Sequence, residues 1–384
     1  MSAEIILPIH LANTEITPEE AAYNPERLVR LDSHLQDLIL KKRLQCASYL
    51  LSRNDRIFAY KSMGKLAYYE DSPEMMPDSI RLIASITKAV TAIAVMKLVE
   101  DGRLYLEQAV STLIQEFDTA THKEINIFHL LTHTSGICPD PGYLGEPYPR
   151  SWWNDVNDKD ANEENNNWIK AILSGPAVSK PGEKWNYSSA GFMILGEIVS
   201  RLTGLPCEQY IIDKICRPIG MNDTFFDVPE KFHSRVCVTN EWGVKHLRQV
   251  EERTGKPPRT SGGLFSTLPD LNRLGQMLLN KGTYNGVRIL GRKTVEAMIR
   301  NYLSGVPAYH WGGNIRDFKM GLGLSIMTGD LVTPGTFNHE GAGRSGLYID
   351  PAEGLVAAYF TPSTHDWVPE SVKSVKAIIW SGIL

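Results

Sequence analysis

The chain has 384 residues, of which 42% are apolar and 22% charged, and its net charge is −4. That profile suits a soluble body with a large core; it carries no basic excess for nucleic acid and no run of about 18 apolar residues to span a membrane. No linker, repeat or low-complexity tract divides it, so one body with two lobes is expected.

The first segment, MSAEIILPIHLANTEITPEE, lacks the basic region and long apolar stretch of a secretory signal, which predicts a cytoplasmic protein, an exported and trimmed form being the alternative. NPERLVRLDSHLQDLILKKR then sets Leu28, Leu31, Leu35, Leu38 and Ile39 at helical spacing, behind Asn24 as N-cap and Pro25 in the first turn. CASYLLSRNDRIFAYKSMGKLAYY reads as strand, turn and strand, with Arg53-Asn54-Asp55 at the hairpin tip. From Ile86 to Asp101 apolar residues run nearly all the way round, as in a helix packed on most sides. Beyond it the chain is mostly helical, except for the polar WWNDVNDKDANEENNNW, expected as a surface insertion or rim loop. AGFMILGEIVSRLTG is a helix ending at Gly204, and TLPDLNRLGQMLLNKG is another, with start signals at Thr267, Pro269 and Asp270 and a stop at Gly282. FKMGLGLSIM, FNHEGAGRSGLYID and GLVAAYFT are short strands separated by glycine or by the turn DPAEG, and VPESVKSVKAIIW closes the chain as a helix. Sheet elements thus lie at both ends with helices between, so the two termini must meet in one lobe of an α+β fold. Five cysteines (Cys46, Cys138, Cys207, Cys216, Cys237) are scattered without a Cys-x-x-Cys pair, which argues for reduced thiols and against a zinc site.

Within SIRLIASITKAVTAIAVMKLVEDG, Ser85 and Lys88 stand three apart at the start of the apolar helix. Residues at that spacing share a face, and helical side chains lean toward the N-terminus, so the Lys88 stem should lie back over Ser85. The helix N-terminus and partial burial both disfavour an ammonium, which predicts a Lys88 pKa near roughly 7 to 8 and a role in removing the Ser85 proton. A serine N-cap followed by a lysine reaching for solvent is the competing reading of the same residues. A second Ser-x-x-Lys, Ser62 to Lys65, falls in the early hairpin and is a decoy. Tyr187, in the Tyr187-Ser188-Ser189 run ahead of a helix, offers a phenol for proton transfer, and His339-Glu340-Gly341-Ala342 offers a glycine-rich strand edge. There the Gly341 backbone admits a ligand closely, and the Ala342 N–H could complete an oxyanion hole with that of Ser85. Tyr143, Tyr148, Trp152, Trp153 and Trp311 are candidate pocket-rim aromatics.

The order of SITK, YSS and HEG along the chain resembles the three motifs of the serine β-lactamase and penicillin-binding superfamily, in particular its class C β-lactamase, DD-peptidase and family VIII esterase branch. The likeness runs from roughly residue 25 to 365 and includes LLTHTSGI, PGEKWNYSSAGFMILGEIV, RPIGMNDTFF, SGGLFSTLPDL and LYIDPAEGLV. It implies the β-lactamase/transpeptidase-like fold, with residues 1–84 and about 261–384 in an α/β lobe, about 85–260 in a mainly helical lobe, and the active site in the cleft between them. It implies Ser85 as nucleophile, Lys88 and Tyr187 as proton carriers, Gly341, Ala342, His339 and Ser189 at the oxyanion and substrate, no cofactor, no metal, and a small-molecule acyl substrate. His133 and Gly262-Gly263 look structural. The chain departs from the branch at Ser189, where asparagine is usual, and at His339, where β-lactamases carry a lysine for the drug carboxylate. The missing asparagine favours an esterase-like serine hydrolase, while His339, found at this place in some DD-peptidases and D-amino-acid peptidases of the family, leaves peptide cleavage open. The alternatives are a D-amino-acid peptidase or amidase, a DD-carboxypeptidase-like enzyme, a weak β-lactamase, an acyltransferase and a non-catalytic penicillin sensor.

Overall fold

The structure is a computed structural model describing residues 7–137, 139–143, 167–175, 177–248, 256–310, 313–315, 317–329, 331–363 and 368–384. Cys138, Tyr148, Trp152, Trp153 and Trp311, and nearly all of the polar 152–168 segment, lie outside the described residues.

Eight antiparallel strands form the main sheet: β1 (Ile9–Leu11), β2 (Cys46–Arg53), β3 (Arg56–Gly64), β4 (Lys319–Met320), β5 (Ser325–Ile326), β6 (Phe337–Gly341), β7 (Ser345–Asp350) and β8 (Leu355–Phe360). Their spatial order is β1-β3-β2-β8-β7-β6-β5-β4, so the strand from the start of the sequence and the strand from its end pair at the centre, Ser48 opposite Phe360 through Arg53 opposite Leu355. Both faces of the central strands are covered. Successive side chains point to opposite sides, and Ala47, Tyr49 and Leu51 accordingly join one core while Cys46 and Leu50 join the other. The β2–β3 turn is a two-residue loop, Asn54 and Asp55, with φ of 49° and 66°, the left-handed pair that a twisted hairpin requires. Arg53 is still paired with Arg56, so the tip is one residue narrower than the sequence suggests. At the β7–β8 hairpin Asp350 accepts the N–H groups of Ala352 and Glu353.

Helix α1 (Pro25–Leu40) starts at Asn24, whose side chain accepts the Glu26 N–H, and turns Leu28, Leu31, Leu35 and Leu38 onto the sheet. The closing helix α5 (Lys373–Trp380) packs on the same face, anchored by the Trp380 indole donating to Asp350. Asn24 N–H donates to the Gly382 carbonyl and Leu384 N–H to Ala22, which joins the two ends of the fold. On the opposite face lie α2 (Ile86–Glu100), α3 (Ser189–Thr203) and α4 (Leu268–Leu279). Helix α2 is central: every residue from Ile86 to Met96 is buried, as its nearly all-round apolar surface demands. Helix α4 opens with Thr267 accepting the Asp270 N–H, and α3 ends on left-handed Gly204, both as the sequence signals. Among the described residues no helix is long and apolar enough to cross a membrane.

Candidate active site

A short strand, Ile80–Leu82, leads into α2. It is followed by Ile83, whose N–H is fixed by the Leu264 carbonyl, and by Ala84 at φ 45°, a left-handed turn unusual outside glycine. Ser85 stands next, half-buried at the helix start, and its hydroxyl makes no capping bond. It instead accepts from the Lys88 ammonium at 3.2 Å, while the same Nζ donates to the Ser261 carbonyl at 2.7 Å. Lys88 is fully buried and does not reach solvent. Burial drives its pKa from 10.5 down to about 8, with the Asp140 charge pulling the other way. The segment 260–264 clamps this face of α2: Thr91 donates to the Thr260 carbonyl, and the Leu264 N–H donates to Thr87.

The Lys88 Nζ lies 4.7 Å from the centre of the Tyr187 ring. Burial first, then Tyr143, hold the phenol well above its ordinary pKa of 10, and a hydrogen bond with Ser85 acts against them. The ring itself is sandwiched, Tyr143 stacking on it at 4.7 Å and His133 at 4.4 Å. His133 Nδ1 accepts the Ser188 N–H at 3.1 Å, which leaves the proton on Nε2. Burial keeps this imidazole neutral, well below its usual pKa of 6.5. His133 therefore does more than shape a helix end: it fixes the position of the Tyr187 ring.

Strand β6 approaches this group so closely that only glycine fits at 341, where a Cβ would lie 2.1 Å from the Ile83 carbonyl oxygen and 2.4 Å from Ser345 Oγ. The Ser345 hydroxyl donates to that same carbonyl at 3.0 Å, tying the sheet edge to the residues before Ser85. Among the described residues neither the Ser85 N–H nor the exposed Ala342 N–H donates to a protein acceptor. His339 is buried, and its Nδ1 must be the donor to the Glu340 carbonyl at 2.9 Å, so Nε2 carries a lone pair. Burial, then the nearby Lys88, push its pKa down to about 3. It brings no positive charge.

Ser189 differs from expectation in what it holds. Its hydroxyl donates to Asp140 Oδ2 at 2.5 Å and its N–H to Oδ1 at 2.9 Å, so the hydroxyl proton is already engaged. Asp140, which no motif picks out, is thereby fixed at the start of α3, where its charge acts on Lys88 and Tyr187. The decoy Ser62 is wholly buried in β3 and donates to the Met75 carbonyl. Cys46 and Cys237, far apart in sequence, bring their sulfurs to 3.7 Å.

The Beta-lactamase family profile matches residues 31–374. An uncharacterized protein of Mycobacterium tuberculosis is 30% identical over 342 residues, covering 78% of this chain and 82% of its own length. An Escherichia coli K12 protein that carries the provisional name of a D-alanyl-D-alanine carboxypeptidase is 25% identical over 406 residues, covering 94% of this chain and 88% of its own. Among solved structures, EstCE1, described as a hydrolase with promiscuous acyltransferase activity, superposes with a TM-score of 0.74 at 17% identity over 93% of this chain and 99% of its own, a likeness of fold.

Proposed function

The chain belongs to the beta-lactamase family of serine hydrolases, and from that premise we propose that it hydrolyses small esters through an acyl-enzyme on Ser85. The observation that carries this reading is the 3.2 Å contact between Lys88 Nζ and an uncapped Ser85 hydroxyl, in a setting dry enough to bring the lysine pKa to about 8. A neutral Lys88 takes the Ser85 proton as Oγ attacks the carbonyl, and the unpaired N–H groups of Ser85 and Ala342 receive the oxyanion. The phenol of Tyr187, beside both Lys88 and Ser85, passes a proton to the departing oxygen. Water then releases the acid by the reverse proton path.

The ester preference follows from charge. Cleaving a peptide ahead of its C-terminal carboxylate, or opening a carboxylate-bearing β-lactam, calls for a cation near the third motif, and His339, its pKa pushed down to about 3 by burial, does not supply one at neutral pH. An ester leaving group also needs less protonation than an amine. The test is a panel of p-nitrophenyl esters, D- and L-aminoacyl anilides and nitrocefin, run on wild type, Ser85→Ala and Lys88→Ala. Ester turnover that falls at least about 10³-fold in Ser85→Ala supports the reading. Equal turnover in both proteins eliminates Ser85, and a wild-type adduct that forms and persists would make the protein an acyl-binding sensor.

A further inference from the structure

Asp140 is a described acidic group whose charge acts on both Lys88 and Tyr187, and the acyl-enzyme reading gives it no step. Its backbone N–H donates to the Tyr187 carbonyl at 2.9 Å, and its carboxylate is oriented by the two Ser189 donors. Each carboxylate oxygen keeps a further lone pair. The residue is only half-buried, and among the described residues no lysine, arginine or histidine forms an ion pair with it. Its charge is nevertheless felt at both Lys88 and Tyr187. Ser189, its hydroxyl proton engaged, cannot also donate to an acyl amide. The middle motif therefore holds a fixed carboxylate, and the third motif contributes a neutral His339.

We propose that Asp140 is a specificity residue that selects acyl groups bearing a protonated amine, pairing with the ammonium while Ser85 attacks the ester carbonyl. The inference rests on the Ser85 reading and adds the substrate class: esters of amino acids or of longer aminoalkyl acids. The Ser85 Oγ–C bond forms as the C–O bond to the leaving alcohol breaks, and the Ser85 proton leaves on that alcohol. The ammonium keeps its proton throughout, so Asp140 binds charge without exchanging it. Acyl groups ending in a carboxylate are repelled.

The experiment compares phenyl esters of alanine and 6-aminohexanoate with those of isobutyrate and heptanoate, their uncharged isosteres, and with the adipate hemiester, by phenol release. In wild type kcat/KM should favour the cationic member of one pair by about tenfold, and that ratio should collapse in Asp140→Asn, decline in 0.5 M NaCl and keep its direction in Asp140→Glu. The salt series uses the wild-type protein and does not depend on the variants folding. No preference in either pair, or an Asp140→Asn effect equal for cation, neutral and anion, overturns the proposal and leaves Asp140 a positioning residue. If no ester is turned over, the hydrolase reading fails by itself. Calorimetric binding of 6-aminohexanamide against heptanamide to Ser85→Ala then reads the charge preference alone, and equal affinities overturn it.

Discussion

Lys88 is the most exposed point of the reasoning, because its behaviour is fixed by burial and can be titrated. A drop from 10.5 to about 8 corresponds to ~3 kcal/mol favouring the neutral amine in the fold. At pH 7 about 9% of such a lysine is neutral, against about 0.03% at the ordinary value, a gain of about 300-fold in the form able to accept the Ser85 proton. The acidic limb of kcat/KM on a p-nitrophenyl ester should accordingly rise with an apparent pKa of about 8. Neither histidine beside the site can mimic it, since burial holds His339 at about 3 and His133 well below 6.5. The stability profile carries the same signature. Below pH 8 folded and unfolded chains both bind the proton and the fold bears the whole penalty of the buried ammonium. Between about 8 and 10.5 only the unfolded chain holds it, so wild type should gain up to ~3 kcal/mol relative to Lys88→Met as the pH rises through that window. In Asp140→Asn the limb should move to lower pH, because the acid supports the ammonium. A profile flat from pH 6 to 9.5, or a limb near 6.5, refutes the assignment.

Tyr187→Phe keeps the ring between Tyr143 and His133 and removes only the phenolic oxygen. It should lower kcat on alkyl esters by about 10²- to 10³-fold, and on p-nitrophenyl esters far less, because nitrophenolate leaves without a proton; equal losses on both would remove the phenol from leaving-group protonation. Gly341→Ala forces a methyl into the Ile83 carbonyl, 2.1 Å from where its Cβ must sit, and that backbone cannot yield cheaply. The expected outcome is a loss of about 1–3 kcal/mol in denaturant unfolding, with fluorophosphonate labelling of Ser85 slowed at least about 100-fold. Labelling at the wild-type rate would separate β6 from the reacting centre.

What the sequence disclosed was whatever depends on neighbours along the chain. The cap at Asn24, the terminator at Gly204, the two hairpins and the Ser85–Lys88 face all follow from periodicity and turn chemistry, and each is found in place, whereas α4 stops at Leu279 with left-handed Lys281, just ahead of the expected Gly282. The family likeness singled out Tyr187 and His339 by motif order, something spacing could not have done. Asp140 escaped both routes. It sits in a loop, ICPDPG, without periodicity, and its partner Ser189 is 49 residues further on, so only the packing of the 139–143 segment against the start of α3 brings them together. The Ser261 carbonyl that holds Lys88 is 173 residues away from it and is a backbone atom, invisible to any reading of side chains. Long-range contacts made through loops carry no local signal.

The site's electrostatics then reduce to two groups. Both histidines near Ser85 are neutral through burial, and the Tyr187 phenol keeps its proton far above neutrality, so among these described groups Lys88 and Asp140 carry the charge, with the Arg81 guanidinium further along on the Gly343 carbonyl. When Lys88 is protonated the two charges offset one another and the serine cannot be activated. When Lys88 is neutral the serine can react, but the half-buried carboxylate then has no counter-ion among the described residues. An acyl group that brings its own ammonium restores the balance in the reactive state and not in the resting one. Binding energy is thus directed to the form that performs the attack, which is where it raises rate as well as affinity.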